Sequence, residues 1–497
     1  MKATSWFAAF DESRGADEVL SRLRSEHLLQ DPRNPRDVVW LRKDVERLVA
    51  DMNDASRPPP MLWSGIPNPP ADSNPTCDSH LVISVGGTNT VFAIMRLQEG
   101  VLQAFDPTSG EFVTDADELN RLRNAGTIPT PVHSADLSSG FDMIRIIVEG
   151  IVRYLPKSAL ASSAGILLSW GFAHRKVRTG STLLGGLSGR VLGMSKAQAG
   201  FSSELIHRDL GELFGREFES QLGWKCPLAV ANDTVMALHY FLAPEWRSRT
   251  HRQGLFINGT GSNFATSEPY AVRAQGFLSA SDEVYQPVPV TSDRPLNSDE
   301  TLTYFFVNYE SGSSLMGETA TRFDDEEDYP IESNTLAGGR AYPKQFKNFV
   351  SEFLSRDIYA RLEDTLSESP GAREVGLLSG ADGSPSAVAA VFPGLSPGEA
   401  EAAGIWLIAR AVVNRSALHA GIILAAATRR NGFGLGGDEK PDLMCMEGSV
   451  WRIPHYPKLV EDWWQALIDD TLKVEFAAEP SYNASLPGPL YLAALHS

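Results

Sequence analysis

Hydrophobic residues recur along the chain with helical and strand periods in alternating blocks. Between residues 15 and 55, the runs VLSRLRSEHLL and VVWLRKDVERLVADM space their apolar residues by three and four, which predicts helices. The next 20 residues, RPPPMLWSGIPNPPADSNPT, hold seven prolines without any period and predict an extended connector. The run LVISVGGTNTVFAIMRLQEGVLQAF then predicts an antiparallel meander of three strands. We therefore expect a helical arm that is joined by a linker to a compact core.

Helices and buried strands alternate in the rest of the chain, as in α/β proteins. A long apolar helix is predicted from about Ala402 to Arg430. A glycine turn that joins strands recurs near each third of the core, in GGTN, GTGSN and MEGS. The remaining predicted elements are a helix in SGFDMIRIIVEGIVRY, a strand in AGILLSW, a helix in FSSELIHRDLGELFGREFESQLGW, a strand in CPLAVAND and a strand–turn–strand unit in GLFINGTGSNFAT.

The composition narrows the classes of protein that this pattern fits. The 497 residues carry 44 Lys and Arg against 62 Asp and Glu, a formal charge of −18, which disfavours nucleic-acid and membrane partners. No stretch reaches about 18 uncharged apolar residues, and the N-terminal sequence lacks the pattern of a signal peptide. Cys77, Cys226 and Cys445 lie far apart without metal spacing, as expected of reduced thiols. We expect a cytoplasmic enzyme, or a catalytically retired relative of one.

Three polar motifs fall where strands are predicted to end. The turns GGTN and GTGSN can each offer consecutive backbone N–H groups to a phosphate, although a plain hairpin is the commoner explanation of such a turn. Between them, LAVANDTVMAL places Asp233 at the carboxyl end of a strand, where open α/β sheets bind ligands. Asp233 is either a functional carboxylate or the cap of the following helix.

Taken in order, these motifs resemble the hexokinase family of sugar kinases. The order is GGTN, a Ser-Trp-Gly strand end, Ser-Lys, NDTV, GTGSN and NYESG, followed by the helix VVNRSALHAGIILAA and the turn MEGSVWRIPHYPKL. The resemblance runs from about Leu81 to the C-terminus. It implies a two-lobed α/β fold of the actin-like ATPase type, with a central cleft between a small and a large domain. It also implies phosphoryl transfer from ATP to a sugar.

The resemblance divides the chain into four parts. Residues 1–60 form a helical arm and linker that pack on the large domain, residues 61–231 the small domain, residues 232–485 the large domain, and residues 486–497 a segment that returns to the small domain. The first glycine turn falls in the small domain, and the other two turns fall in the large one. The oligomeric state stays open between monomer and dimer.

The same resemblance implies a role for individual residues. Asp233 matches the general base that takes the proton of the sugar hydroxyl as this hydroxyl attacks the γ-phosphoryl group of ATP. The implied partners are a small-molecule sugar and ATP, with Mg²⁺ bound mainly through the nucleotide. The residues that match the sugar site are Ser169, Trp170, Ser195, Lys196, Asn232, Asn263 and Glu310. Those that match the nucleotide site are Gly86, Gly87, Thr88, Asn89, Gly259, Thr260, Gly261, Gly448 and Ser449.

The chain departs from the family pattern beside two of these turns. Ser84 stands where the family has an aspartate that helps to hold Mg²⁺ through water. Val91 stands where it has an arginine that supports the phosphates, and Glu447 replaces the aspartate of the last turn. The loss of both charges at the first turn weakens the stabilisation of a phosphoryl-transfer transition state.

Other departures concern the sugar pocket. Trp170 and Gly171 replace Phe and Pro, and a pocket glutamate of the family aligns with Lys347. The basic residues 174–178 either form a solvated loop, which we favour, or touch an anionic group.

These matches and departures leave more than one function open. We expect an ATP-dependent kinase of a hexose or hexose-like sugar, because Asp233, Asn263 and Glu310 are retained together. The alternative is a catalytically impaired regulatory or sugar-sensing protein, which Ser84 and Val91 favour. A third possibility is a kinase that acts on N-acetylglucosamine or on an uncommon polyol.

Overall fold

Two mixed β-sheets, each backed by helices, organise the fold. In each sheet, parallel strands lie at one side and antiparallel strands at the other. A computed structural model of the protein describes residues 6–7, 15–53, 62–67, 76–87, 89–131, 139–172, 174–178, 187–191, 204–223, 225–241, 246, 248–259, 261–269, 304–309, 319, 321, 334–339, 341–367, 372–393, 395–437, 439–478 and 486–496.

The N-terminal half forms a helical arm and a seven-stranded sheet. Its helices are α1 (Asp17–Ser25), α2 (Pro35–Asn53), α3 (Ala116–Ala125), α4 (Gly140–Tyr154), α5 (Lys157–Ala161), α6 (Leu210–Leu222) and α7 (Asp233–Tyr240). Its strands are β1 (Leu62–Pro67), β2 (Cys77–Val85), β3 (Asn89–Gln98), β4 (Val101–Asp106), β5 (Glu111–Val113), β6 (Thr127–Pro129), β7 (Ile166–Trp170), β8 (His174–Arg178), β9 (Leu187–Val191) and β10 (Leu228–Asn232). The strand order is β10-β7-β2-β3-β4-β5, with β6 paired to β3. Strands β2, β3 and β4 are antiparallel neighbours, so the predicted meander is confirmed.

The C-terminal half forms a six-stranded sheet and the longest helix. Its strands are β11 (Gln253–Asn258), β12 (Ser262–Pro269), β13 (Tyr304–Asn308), β14 (Asp442–Glu447) and β15 (Val474–Ala478). The sheet has the order β1-β13-β12-β11-β14-β15. The helices are α8 (Asn334–Ala337), α9 (Ala341–Phe353), α10 (Arg356–Ser367), α11 (Ala372–Gly380), α12 (Pro385–Val391), α13 (Glu399–Asn431), α14 (Tyr456–Leu467) and α15 (Pro487–His496).

Helices α7 and α15 lie between the two sheets. Val82 of β2 belongs to one hydrophobic core with Met236 of α7, Leu490 of α15 and Leu255 of the six-stranded sheet. The next residue of β2 points to the opposite face, where the core is completed by α4 and α6. The far face of the six-stranded sheet packs on α13 and α14. Helix α7, which begins at Asp233, therefore lies in the layer that both sheets share.

The hydrophobic core on the far face of the six-stranded sheet is called the second core here, and the long helix α13 is its central helix, as its apolar sequence predicts. In the described part of the chain it alone is long and apolar enough to cross a membrane, but its apolar window is entirely buried inside the protein. Arg410 of this helix is buried and donates to the carbonyl oxygens of Ser379 at 3.0 Å and Trp6 at 2.8 Å. Arg415 is buried and donates to the carbonyl oxygen of Thr319 at 3.1 Å. Buried charges that are hydrogen-bonded in this way fit a protein interior.

The structure corrects the expectation for residues 62–67. They form strand β1 rather than part of a linker, and Leu62 lies opposite Asn308 and Trp63 opposite Val307. The strand ends at a proline, which is tolerated because the outer side of an edge strand needs no partner. Although the resemblance assigns residues 61–231 to the small domain, this strand extends the six-stranded sheet.

Two other segments differ from the sequence pattern. The helix expected over residues 201–224 begins only at Leu210, because the side chain of Asp209 caps it and accepts the N–H of Glu212 at 3.0 Å. His207 has a φ of 66°, which a continuous helix does not allow. The basic residues 174–178 form strand β8, paired antiparallel with β9, so the expected loop is wrong.

Candidate active site

Asp233 lies at the junction of strand β10 and helix α7. The side chain of Asn232 accepts the backbone N–H groups of Thr234 at 2.9 Å and Val235 at 3.4 Å. Asn232 is therefore the helix cap, and the alternative that Asp233 has this role is wrong. The amide oxygen of Asn232 is engaged with the backbone, whereas the carboxylate of Asp233 lies at the positive end of the helix dipole.

One oxygen of the Asp233 carboxylate is held by Thr234. Oδ1 accepts the backbone N–H of Thr234 at 2.7 Å and its hydroxyl at 3.1 Å. The Thr234 hydroxyl also accepts from Nδ2 of Asn263 at 3.0 Å, and Nδ2 donates to Oδ1 of Asn308 at 2.8 Å. Thr234 and Asn308 are not among the residues that the sequence predicts for this site. A hydroxyl directly after the carboxylate is the signal for Thr234, and the signal for Asn308 is its place as the first residue of the NYESG motif.

The other oxygen of the carboxylate lies against Gly171, which follows strand β7. A Cβ at position 171 would lie 2.8 Å from Oδ2 of Asp233, 2.8 Å from the carbonyl oxygen of Val85 and 3.4 Å from Cα of Gly86. Gly171 also donates its N–H to the carbonyl oxygen of Val85 at 2.8 Å. Proline, which the resemblance leads one to expect here, would remove this donor and occupy the space of the carboxylate. Glycine at this position lets Asp233 lie beside the first glycine turn.

Uncharged residues flank the first glycine turn. The N–H of Gly86 donates to the carbonyl oxygen of Asn89 at 3.0 Å and closes the turn. Ser84 and Val91 lie directly opposite each other on β2 and β3, and Ser84 is also in register with Ser169 of β7. Residues in register share one face of the sheet. Where the family pattern has an aspartate and an arginine, this ladder thus has a hydroxyl opposite an aliphatic side chain.

Ser169 and Trp170, both expected at the sugar site, point to opposite faces of the sheet because they are consecutive in a strand. Ser169 is fully buried on the face of Ser84, and its hydroxyl has no hydrogen-bond partner among the residues that the structure describes. Trp170 is fully buried on the other face, with ring centroids 5.3 Å from Phe172 and 6.1 Å from Phe214. The Trp170 side chain thus packs in the core on the face opposite Ser169, and its place in the sugar site stays a prediction.

The second and third glycine turns meet at the ends of β11 and β14, which are parallel neighbours. In the second turn, Gly259 donates its N–H to the carbonyl oxygen of Gly261 at 2.9 Å. Gly448 of the third turn has a φ of 108°, and a Cβ there would overlap the carbonyl group of Asn258, so only glycine fits. A Cβ on Gly259, by contrast, would meet no atom of the described residues within 4 Å, so this turn has open space beside it in that part of the chain.

Solved structures with this arrangement of elements include hexokinases. A hexokinase crystal structure matches with a TM-score of 0.63 at 16% identity and covers 99% of this chain and 99% of that chain. The hexokinase from Schistosoma mansoni, solved in complex with glucose, matches with a TM-score of 0.64 at 17% identity and covers 98% and 99% of the two chains. The chain has the hexokinase fold. No family model and no curated protein sequence matches it, so this two-lobed, actin-like α/β fold is retained in a divergent sequence.

On this hexokinase fold, many of the predicted site residues adjoin one another. Contacts run from Gly86 through Gly171 and Asp233 to Thr234 and Asn263. Asn263 lies on the hairpin that carries the second glycine turn, against which the third turn packs. Thr88, Ser195, Lys196, Thr260 and Glu310 lie outside the described residues.

Helix α7 contains one buried histidine. Burial lowers the pKa of His239 in this helix to about 4, so the imidazole is neutral at pH 7. Within the described ranges, no group of three or more His, Cys, Asp and Glu side chains could hold a metal ion.

Proposed function

We propose that the protein is an ATP-dependent phosphotransferase that phosphorylates the primary hydroxyl of a hexose or hexose-like sugar, with Asp233 as the general base. The observation that carries this proposal is the placement of the carboxylate. One oxygen is held by Thr234, and the other lies against Gly171 beside the turn at Gly86. The hexokinase fold, with one similar structure bound to glucose, supports a sugar as the acceptor.

In the proposed reaction, the carboxylate accepts a proton. Asp233 takes the proton of the sugar hydroxyl, the hydroxyl oxygen forms a bond to the γ-phosphorus of ATP, and the bond from this phosphorus to the bridging oxygen of ADP breaks. Ser169 supports the sugar site, because its buried hydroxyl lacks a described partner and a sugar hydroxyl would supply one. The protein contributes positioning rather than covalent chemistry.

The proposed nucleotide site lies along the glycine turns. Backbone N–H groups of the first turn would bind phosphates, the open side of Gly259 would leave room for them, and Gly448 and Ser449 would close on the nucleotide. Mg²⁺ would neutralise phosphate charge when bound with ATP. Because Ser84 and Val91 carry no charge, we expect ATP·Mg²⁺ to bind more weakly than it would beside an aspartate and an arginine.

A catalytically impaired sugar sensor with the same fold is the second candidate. The Ser84–Val91 ladder favours it, because a protein with this ladder could bind sugar and nucleotide while it stabilises the transition state poorly. A kinase of N-acetylglucosamine is a variant of the first proposal. The assay described next would identify which sugar is phosphorylated.

A coupled ADP-release assay tests the proposal over a panel of hexoses and amino sugars that includes N-acetylglucosamine. With ATP·Mg²⁺, we expect ADP release that depends on at least one sugar. Isothermal titration of the same sugars accompanies the assay. Sugar binding without sugar-dependent ADP release would contradict the kinase and support the sensor.

A further inference from the structure

A chain of side-chain hydrogen bonds begins directly before the second glycine turn. Asn258 donates from Nδ2 to the hydroxyl oxygen of Tyr456 at 2.7 Å. The Tyr456 hydroxyl lies 2.9 Å from Oγ of Ser416, and the Ser416 hydroxyl donates to the carbonyl oxygen of Ala337 at 2.6 Å. The side chains of Asn258, Tyr456 and Ser416 are fully buried. Strand β11 is thus linked to helices α14, α13 and α8 by groups that solvent does not reach.

The hydrogen bonds from Asn258 to Tyr456, from Tyr456 to Ser416 and from Ser416 to Ala337 can all point in the same direction. Ser416 has a single hydroxyl hydrogen, which it gives to the carbonyl of Ala337, so it accepts from the hydroxyl of Tyr456. Tyr456 in turn accepts from Asn258. Burial raises the pKa of Tyr456, which keeps its hydroxyl protonated and able to donate. Bonds aligned in one direction polarise one another, so the loss of one member weakens the others.

A backbone hydrogen bond connects the end of this hydrogen-bond series back to the second glycine turn. Two residues after Ala337, Gly339 donates its N–H to the carbonyl oxygen of Gly259 at 2.7 Å. Gly259 is thereby held twice, by its own carbonyl group and through the side chain of Asn258, which precedes it. One connection comes from the residues that follow α8 and the other from α14, so neither comes from the sheet that contains the turn.

We propose that Ser416 and Tyr456 are positioning residues for the nucleotide. They hold the backbone of Gly259 in the conformation that binds phosphate, although neither is needed for proton transfer. This inference rests on the proposed function, because it takes the second turn as part of the nucleotide site. Among the hydrogen bonds described, none joins this chain to the bonds around Asp233 and Thr234. The loss of Ser416 therefore affects the nucleotide and spares the sugar.

The test compares Ser416→Ala with the matched variant Ser379→Ala. Ser379 is also fully buried, and its hydroxyl donates to the carbonyl oxygen of Gly376 at 2.7 Å in helix α11. This bond is not part of the hydrogen-bond series that begins at Asn258. Calorimetry with ADP·Mg²⁺ gives the Kd of each variant, and the ADP-release assay gives the KM for ATP and for the sugar. We expect Ser416→Ala to bind ADP about tenfold more weakly and to raise the KM for ATP. The KM for the sugar stays at the parent value, and Ser379→Ala matches the parent throughout.

Tyr456→Phe is the second variant. It removes the hydroxyl that bonds both Asn258 and Ser416, and it keeps the aromatic ring in place. Its ADP affinity should fall as that of Ser416→Ala does. Equal ADP affinity in the parent and in Ser416→Ala, Tyr456→Phe and Ser379→Ala would overturn the inference. A parent that binds ADP without transferring phosphate contradicts the proposed reaction only, because the comparison of ADP affinities does not require turnover. A parent that does not bind ADP overturns both.

Discussion

The first and second glycine turns join strands in the same way, but their surroundings differ. The first turn is closed by the bond from Gly86 to Asn89 and is flanked by the uncharged pair Ser84 and Val91. The second turn is held at Gly259 by bonds that lead into three helices of the second core. The side chains beside the first turn are uncharged, whereas the geometry of the second turn is fixed by buried groups. Nucleotide affinity in this protein should therefore depend more on the second turn than on the first.

Apart from replacement of Asp233 itself, the largest effect that we expect comes from Gly171→Ala, where the first turn meets the proposed base. The new Cβ would lie 2.8 Å from Oδ2 of Asp233, so the carboxylate must move. A displacement of about 1 Å in a reacting group can lower turnover about 100-fold, and we expect a loss of this size in kcat. Gly215→Ala in helix α6 is the control, because a Cβ there meets no atom within 4 Å among the residues that the structure describes. If Gly171→Ala has the kcat of the parent, turnover does not depend on the present position of the Asp233 carboxylate.

The introduction of charged side chains beside the first turn should raise its contribution to nucleotide affinity toward that of the second turn. In the double variant Ser84→Asp, Val91→Arg, the new charges face each other across the ladder, beside the proposed phosphate site. Charge-assisted contacts to Mg²⁺ water and phosphate should tighten ATP·Mg²⁺ binding at least about tenfold, as calorimetry would measure. The swapped pair Ser84→Arg, Val91→Asp carries the same net charge and should not tighten binding. Equal affinity in the parent and both double variants would contradict our account of the first turn.

A smaller effect is expected from Thr234→Val, which removes the hydroxyl that links Asp233 to Asn263. The backbone N–H of Thr234 still holds Oδ1, so we expect kcat to fall about three- to tenfold with little change in the KM for the sugar. Thr234→Ser should restore the parent rate. Thr266→Val is the control, since its buried hydroxyl donates to the carbonyl oxygen of Gln253 instead. Similar kinetics in Thr234→Val and Thr266→Val would mean that the hydroxyl does not position the carboxylate.

The two turns and the position of Asp233 could be predicted from sequence because each depends on local pattern. Period-two apolar runs mark the strands, and glycine marks the turns between them. The same period predicts that the consecutive residues Ser169 and Trp170 point to opposite faces of the sheet, and the structure shows both fully buried there. Strand β1 was hidden by the surrounding prolines. The bond between Asn258 and Tyr456 could not be predicted, because its partners lie 198 positions apart and no periodicity relates them.

The most direct test of the account is kcat and melting temperature for Asp233→Asn, measured on one preparation beside Asp209→Asn. Asp209 is a matched control, because it also lies at the start of a helix and accepts a serine hydroxyl, that of Ser188, at 2.7 Å. We predict that Asp233→Asn binds the sugar nearly as the parent does and keeps its melting temperature, while kcat falls about 100-fold or more. Asp209→Asn should turn over at the parent rate. An Asp233→Asn variant that melts early but turns over normally would contradict the central claim that this carboxylate is the general base.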